Sequence, residues 1–589
     1  MALPEGLDPP RGKWVAVGHF LLLCLLAQPG GPAVPCPALC QCFGNLTVFC
    51  SDESLEDIPE GLPASATQLF FVGAPLVSVQ SGAFANRTGS RRLAKLAFLG
   101  SPLQSLGCAA FEGLPDLREL EISSSLLTAL SGEAFLGLTN LSTLSVKFSP
   151  IESLETELFS NTQHLEALHL QGNDLESLPQ DVFRPLSSLK TLTLSQNHLT
   201  ELLGEVFSPL SALRVLKLSD NRLAGLPAGL FGPLRELQEL FLDGNALAEL
   251  PPGTFAPLTA LTRLHLQHNA LEHLPATVFS TQRNLTFLYL DGNRLAELPD
   301  GLFQGTPHLA ELSLAGNRLQ SIPEGLFGNL GSLVFLVLSG NCLAHLSAGV
   351  FQGLSALARL QLSHNNLTAL PRDVFANLTT LEALDLSHNQ LATLSEGVFE
   401  GNIILGNVAL KGNPWTCDCH LAPLKDWLQD TDPLINAQAL CRSPAPLQGL
   451  SLPAVQKEQL VCRRGLTPSR CRAEPGMEET SGEPSARPPC TYQDLAGAIH
   501  LACDRDACHK LSLSLPRGES LQEAGQYFSE HWSLDSSCGA MRVRVAVTIE
   551  PLSRRGGGGS PVRPVGPPLP VWLGEQGGPP ERGGSSPTL

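Results

Sequence analysis

LEALHLQGNDLESLPQDVF, residues 165–183, decides the fold. Leu168 and Leu170 alternate with His169, as a short strand with one buried face requires. Asn173 follows, then Leu175, Leu178, Pro179 and Phe183. The same frame returns every 24 residues, with asparagine at 173, 197, 221, 245, 269, 293, 317, 341, 365, 389 and 413. Upstream, Ser101, Ser125 and Ser149 fill the slot in the same register. A phenylalanine stands ten residues after each slot, from Phe111 to Phe399, and a looser first copy ends in Phe84. That makes about 14 copies, and a fixed period of this length marks a stacked repeat array.

Each position has a physical task. Strands of successive copies stack into one parallel sheet. The slot asparagine turns inward, where its amide can satisfy backbone groups of neighbouring turns as the chain bends; serine can do so only in part. The phenylalanines are expected to stack as a spine on the return side. No copy buries its own apolar face, so stability comes from neighbours. The leucine period excludes a seven-residue zipper.

Bulk properties agree. A chain of 589 residues is too long for one ordinary compact core. With 43% hydrophobic and 16% charged residues it is no disordered polyelectrolyte. A net charge of −18 argues against nucleic acid and anionic membrane as partners. Residues 1–35 read as a secretory signal region: Arg11 and Lys13 precede the apolar run Val15–Ala27, with cleavage expected between Ala27 and Cys36. No later apolar run reaches the length of a membrane helix. Sixteen cysteines, Cys24 among them, fit an oxidising compartment. Six glycosylation acceptors follow the signal: Asn45, Asn86, Asn140, Asn284, Asn366 and Asn377.

The pattern LxxLxLxxNxLxxL over residues 63–412 resembles the leucine-rich-repeat family. The resemblance implies an α/β repeat solenoid, a horseshoe with a concave parallel sheet. Cys36, Cys40, Cys42 and Cys50 (cap 36–62) and Cys417, Cys419, Cys441 and Cys462 (cap 413–463) resemble the flanking caps of extracellular members. Those caps pair first with third and second with fourth cysteine. Carried over, this gives Cys36–Cys42, Cys40–Cys50, Cys417–Cys441 and Cys419–Cys462, with Trp415 and Trp427 over the last repeat. Cys417, Cys419 and His420 also admit a metal reading, but the cap accounts for the same residues. Residues 464–489 read as a linker, 490–550 as a small module with Cys490, Cys503, Cys508 and Cys538, and 551–589 as a disordered Gly/Pro-rich tail. The module's end, MRVRVAVTIE (541–550), alternates like a strand. Cys108, Cys342 and Cys471 remain. They read as buried free thiols or, for Cys471 above all, as a bond to a partner chain.

Catalytic signatures are missing: the sequence has no HExxH, GxSxG or GKS/GKT motif. His308 and Glu311 fit HxxE, but the repeat explains both and no third ligand stands out. No cofactor is expected. Residues two, four and six before each slot should face the concave side. Most are polar or small, but Phe241, Phe287, Tyr289, Phe335 and Val337 project from one stretch, with Arg263, Arg359 and Glu311 in or beside it. An apolar patch rimmed by charge marks a binding site, since aromatics and Arg dominate hot spots. The plainer alternative is that some rings lean inward or lie under a glycan on Asn284.

CPALCQCF (36–43), FCSDESLEDIP (49–59), NPWTCDCHLAPLKDWLQ (413–429), QLVC (459–462), CTYQDLAGAIHLACDRDACHKL (490–511) and SSCGAMRVRVAVTIE (536–550) together resemble the family of large, non-catalytic subunits of carboxypeptidase N. That resemblance implies a plasma carrier. It would bind a zinc carboxypeptidase chain that removes C-terminal Lys or Arg from peptides such as kinins and anaphylatoxins. It would stabilise that chain and keep it in circulation, in an assembly of two large and two catalytic subunits. The repeat alone equally fits a free-standing extracellular protein that binds a growth factor or a matrix partner.

Overall fold

A computed structural model describes residues 36–462, apart from Asn45, Asn86, Thr88 and 431–437, together with the strands Cys490–Leu495 and Ala498–Cys503. The signal region, Asn45, Asn86, the linker, Cys471, MRVRVAVTIE and the 551–589 tail lie outside the described residues. The chain divides into two units, Met1–Arg463 and Arg464–Leu589.

In the first unit the repeat becomes a solenoid. Seventeen strands form one sheet. From Lys95–Leu99 to Asn407–Ala409, each strand pairs in parallel with the next at the repeat register, as in Leu264↔Leu288 and Leu288↔Leu312. The hairpin Cys40–Phe43 and Thr47–Cys50 closes the N-terminal edge, its second strand pairing in parallel with Gln68–Val72. The return half of most repeats is built of turns; the first ones add short 3-10 helices, Ser90–Arg92 and Gly132–Phe135, and a strand pair, Ser78–Val79 with Ser105–Leu106. The one α-helix among the described residues is Ala422–Asp430, in the C-terminal cap.

The slot residues close the bends. Asn293 donates through Nδ2 to the Leu266 carbonyl (2.9 Å) and the Leu290 carbonyl (3.0 Å), and its Oδ1 accepts from the Leu271 amide (3.1 Å). The pattern recurs from Asn197 to Asn413. Serine reaches less: Ser125 and Ser149 join through their hydroxyls at 2.8 Å, and the buried Ser101 hydroxyl has no partner. Strand length changes with it. Strands of the serine repeats run five residues (Lys95–Leu99, Glu119–Ser123, Thr143–Lys147), whereas those of the asparagine repeats run three. The asparagine amide captures the carbonyl three residues before the slot and so ends the strand earlier.

The spine is present. Phe255, Phe279, Phe303 and Phe327 are fully buried and stack in sequence at 6.2–6.4 Å between centroids. Each buried ring contributes roughly 1.5–3 kcal/mol of transfer free energy. Just before each slot the backbone takes a left-handed turn, a conformation that glycine adopts at no steric cost. Gly292 sits there at φ +62°, and a Cβ on it would meet the His268 ring nitrogen at 2.6 Å.

Four disulfides tie the caps: Cys36–Cys42, Cys40–Cys50, Cys417–Cys441 and Cys419–Cys462. Trp415 is fully buried and donates to the Leu410 carbonyl (3.0 Å), while Trp427 packs on Phe399 at 4.7 Å. The expectation of buried free thiols needs correction. Cys108 is free but exposed, because it occupies the repeat position of the exposed Gln180. Cys342 is buried but disulfide-bonded. In the second unit, Cys490–Leu495 pairs antiparallel with Ala498–Cys503.

Candidate binding face

Sheet register places the predicted inner-face residues in columns. The central column runs Lys217, Phe241, His265, Tyr289, one residue per strand. The Lys217 ammonium lies 4.7 Å over the Phe241 ring. Phe241 stacks on His265 at 4.3 Å, and His265 on Tyr289 at 4.8 Å. Alongside, Arg263 lies 4.7 Å over Phe287 and 3.8 Å from the Glu239 carboxylate. Strand by strand this second column continues as Phe287, Glu311, Phe335 and Arg359. Val337 stands beside Phe335 on the same strand.

The predicted residues are therefore brought together in two groups. Phe241 and Tyr289 join one stack, with Arg263 and Phe287 against its flank. Phe335, Val337 and Arg359 form an open corner two strands on. All five apolar residues are half-buried, with their strand leucines fully beneath the sheet, and both arginines are exposed. Among the apolar members, Tyr289 packs on His265 and Phe241 lies between His265 and the Lys217 ammonium, so these rings do not lean into the core.

Sequence reasoning missed His265, the imidazole that joins the two rings. Its signal was the 24-residue spacing to Phe241 and Tyr289, which places all three in one column. Burial between the rings lowers its pKa from the ordinary 6.5, against the pull of the nearby Asp243 carboxylate. Gln267 donates to its Nδ1 at 3.2 Å. Burial, and then the neighbouring Glu311 carboxylate, raise the pKa of the Tyr289 hydroxyl. A stacked, neutral centre flanked by cations offers flat apolar contact and little reactive chemistry.

The other candidates stand apart from this face or are engaged elsewhere. His308 is exposed before its strand and Glu311 lies on the inner face, and among the described residues they belong to no cluster of three metal-binding side chains. Cys419, His420 and Cys462 do cluster, but the two sulfurs are bonded to each other and His420 Nδ1 lies 3.1 Å from Asp418. Of the described glycosylation acceptors, Asn140, Asn284 and Asn377 are exposed and Asn366 is half-buried. Asn284 stands three residues before Phe287, at the strand's entry, where its amide donates to the Thr259 carbonyl (2.9 Å). Among the described residues no helix is long and apolar enough to cross a membrane.

Comparison with known proteins places this geometry. Human carboxypeptidase N subunit 2 is 44% identical over 150 residues, 24% of this chain and 28% of that protein. The mouse protein of the same name is 43% identical over 155 residues, again 24% and 28%. The matched stretch thus spans little more than a quarter of either relative. A solved leucine-rich-repeat protein of Leptospira interrogans is 29% identical, with a TM-score of 0.56 over 65% of this chain and 93% of that one. The leucine-rich-repeat model matches in overlapping segments from 91–151 to 355–414, and the chain belongs to the leucine-rich-repeat family.

Proposed function

We propose that this chain is a secreted, non-catalytic carrier subunit that binds and stabilises a zinc carboxypeptidase acting on C-terminal Lys or Arg of plasma peptides. The similarity to carboxypeptidase N subunit 2 carries the reading. The inner face supplies the means. Phe241, Phe287, Tyr289, Phe335 and Val337, with Arg263 and Arg359, contact the catalytic subunit, in an assembly of two large and two catalytic chains. A partner that binds only the folded peptidase raises its apparent stability by mass action. The glycans on the acceptor asparagines add bulk that slows clearance.

The test is sizing chromatography of the full secreted chain with the catalytic subunit of carboxypeptidase N, following loss of peptidase activity at about body temperature. Co-elution with slower inactivation supports the carrier reading. Separate elution without protection moves the reading to a free-standing extracellular ligand-binding protein. Activity of this chain alone on a C-terminal Lys peptide, abolished by chelator, would make it an enzyme.

A further inference from the structure

Most charged groups of the inner face have a partner on it; Arg359 and Lys411, both exposed, have none among the described residues, and of the two Arg359 adjoins the apolar cluster. Lys217 is engaged with Phe241, and Arg263 with Glu239 and Phe287. Asp243 accepts from the Ser219 hydroxyl, and Asp385 from the Ser387 amide. Asp291 is bonded to Ser313, and Glu311 faces the Tyr289 hydroxyl. Arg359 is exposed and makes no ion pair or side-chain hydrogen bond among the described residues. Its strand neighbours are Phe335 and Ala383, neither of which carries a carboxylate or other side-chain oxygen. Beside it Val334, at the strand's entry, is 44% exposed, and Phe335 and Val337 are half-buried.

The geometry points to this corner as the anchor of the interface: Arg359 takes an Asp or Glu side chain on the partner's surface, while an adjoining apolar residue of the partner packs on Phe335 and Val337. The inference rests on the proposed assembly with the carboxypeptidase and adds the chemistry the partner must present. A guanidinium offers a planar fork that matches a carboxylate bidentately, and an apolar surround strengthens the pair once water leaves. A cation left alone on a chain of net charge −18 gives an acidic residue its local attraction where the whole molecule would repel it. The stacked rings of Phe241, His265 and Tyr289 serve instead as a rigid platform, since each already has its neighbours.

The experiment measures affinity of the full secreted chain for the catalytic subunit, with folding checked by thermal melting. Arg359→Glu weakens binding about 30-fold or more, and Arg359→Lys, which keeps the charge but loses the fork, weakens it several-fold. Arg372→Glu, on the return side, leaves it unchanged. Reversal of surface Asp and Glu residues of the catalytic subunit to Arg, one at a time, yields one variant that restores binding to Arg359→Glu. Wild-type affinity in a folded Arg359→Glu chain overturns the inference, as does a complete reversal scan with no restoring variant. The Phe287→Ser/Phe335→Ser double variant separates the two failures. If it weakens binding while Arg359→Glu does not, the face stands and the carboxylate anchor falls; if neither weakens it, the proposed binding face falls too.

Discussion

The inner face near the N-terminus and the inner face at mid-solenoid use the same sheet for opposite ends. Between residues 95 and 147 the outward side chains neutralise each other: Lys95 meets Glu119 at 2.8 Å, and Lys147 meets Glu121 at 3.1 Å. Between 217 and 359 the same columns hold stacked rings, a cation over each flank and an unmatched arginine. The two stretches share one sheet and one register and differ in strand length, five residues against three. Because the repeat places the core leucines and the slot residue, the outward positions are the ones left to carry the proposed binding chemistry.

That contrast is open to attack. The largest effect is expected at mid-solenoid: Phe287→Ser with Phe335→Ser lowers affinity for the catalytic subunit about 100-fold while melting stays near wild type, as loss of two hot-spot rings predicts. A melting loss equal to that of a core variant would mean the rings are structural. Next comes the slot ladder. Asn293→Ala strands two carbonyls and an amide, and costs about 1–3 kcal/mol in chemical denaturation. Ser125→Ala, at a slot whose hydroxyl meets mainly another hydroxyl, costs less.

A smaller effect follows from pH. Burial holds His265, and likewise His169, below the ordinary 6.5, so the folded chain resists protonation that the unfolded chain accepts. The unfolded state then binds more protons, and stability falls as pH drops below 6.5 toward the folded-state value. Melting temperatures taken from pH 7.5 to 5.5 should show the decline, and His265→Gln should flatten part of it. The smallest effect belongs to the N-terminal stretch. Glu119→Gln breaks an exposed ion pair and should change stability by less than about 1 kcal/mol and binding not at all.

The fold was almost wholly legible, because a 24-residue period fixes register, slot and spine at once. The asparagine amides and the phenylalanine stack fall where the period places them. What escaped the sequence lies in side chains whose role depends on a neighbour 24 residues away. His265 looks like one more polar inner residue until Phe241 and Tyr289 are seen on either side of it. Arg359 reads as rim charge until its strand neighbours, Phe335 and Ala383, are seen to leave it without an ion pair. Cys108 misled in another way: a thiol is usually buried, but the return-half position it occupies faces solvent.

The central claim is that mid-solenoid, and not the N-terminal stretch, holds the catalytic subunit. A photo-crosslinking amino acid placed at Tyr289 in one variant and at Glu121 in another, each mixed with the catalytic subunit and irradiated, tests it most directly. The account predicts a covalent heterodimer from position 289 and none from 121. A crosslink from 121, or none from 289 while the two chains still co-elute, would contradict it.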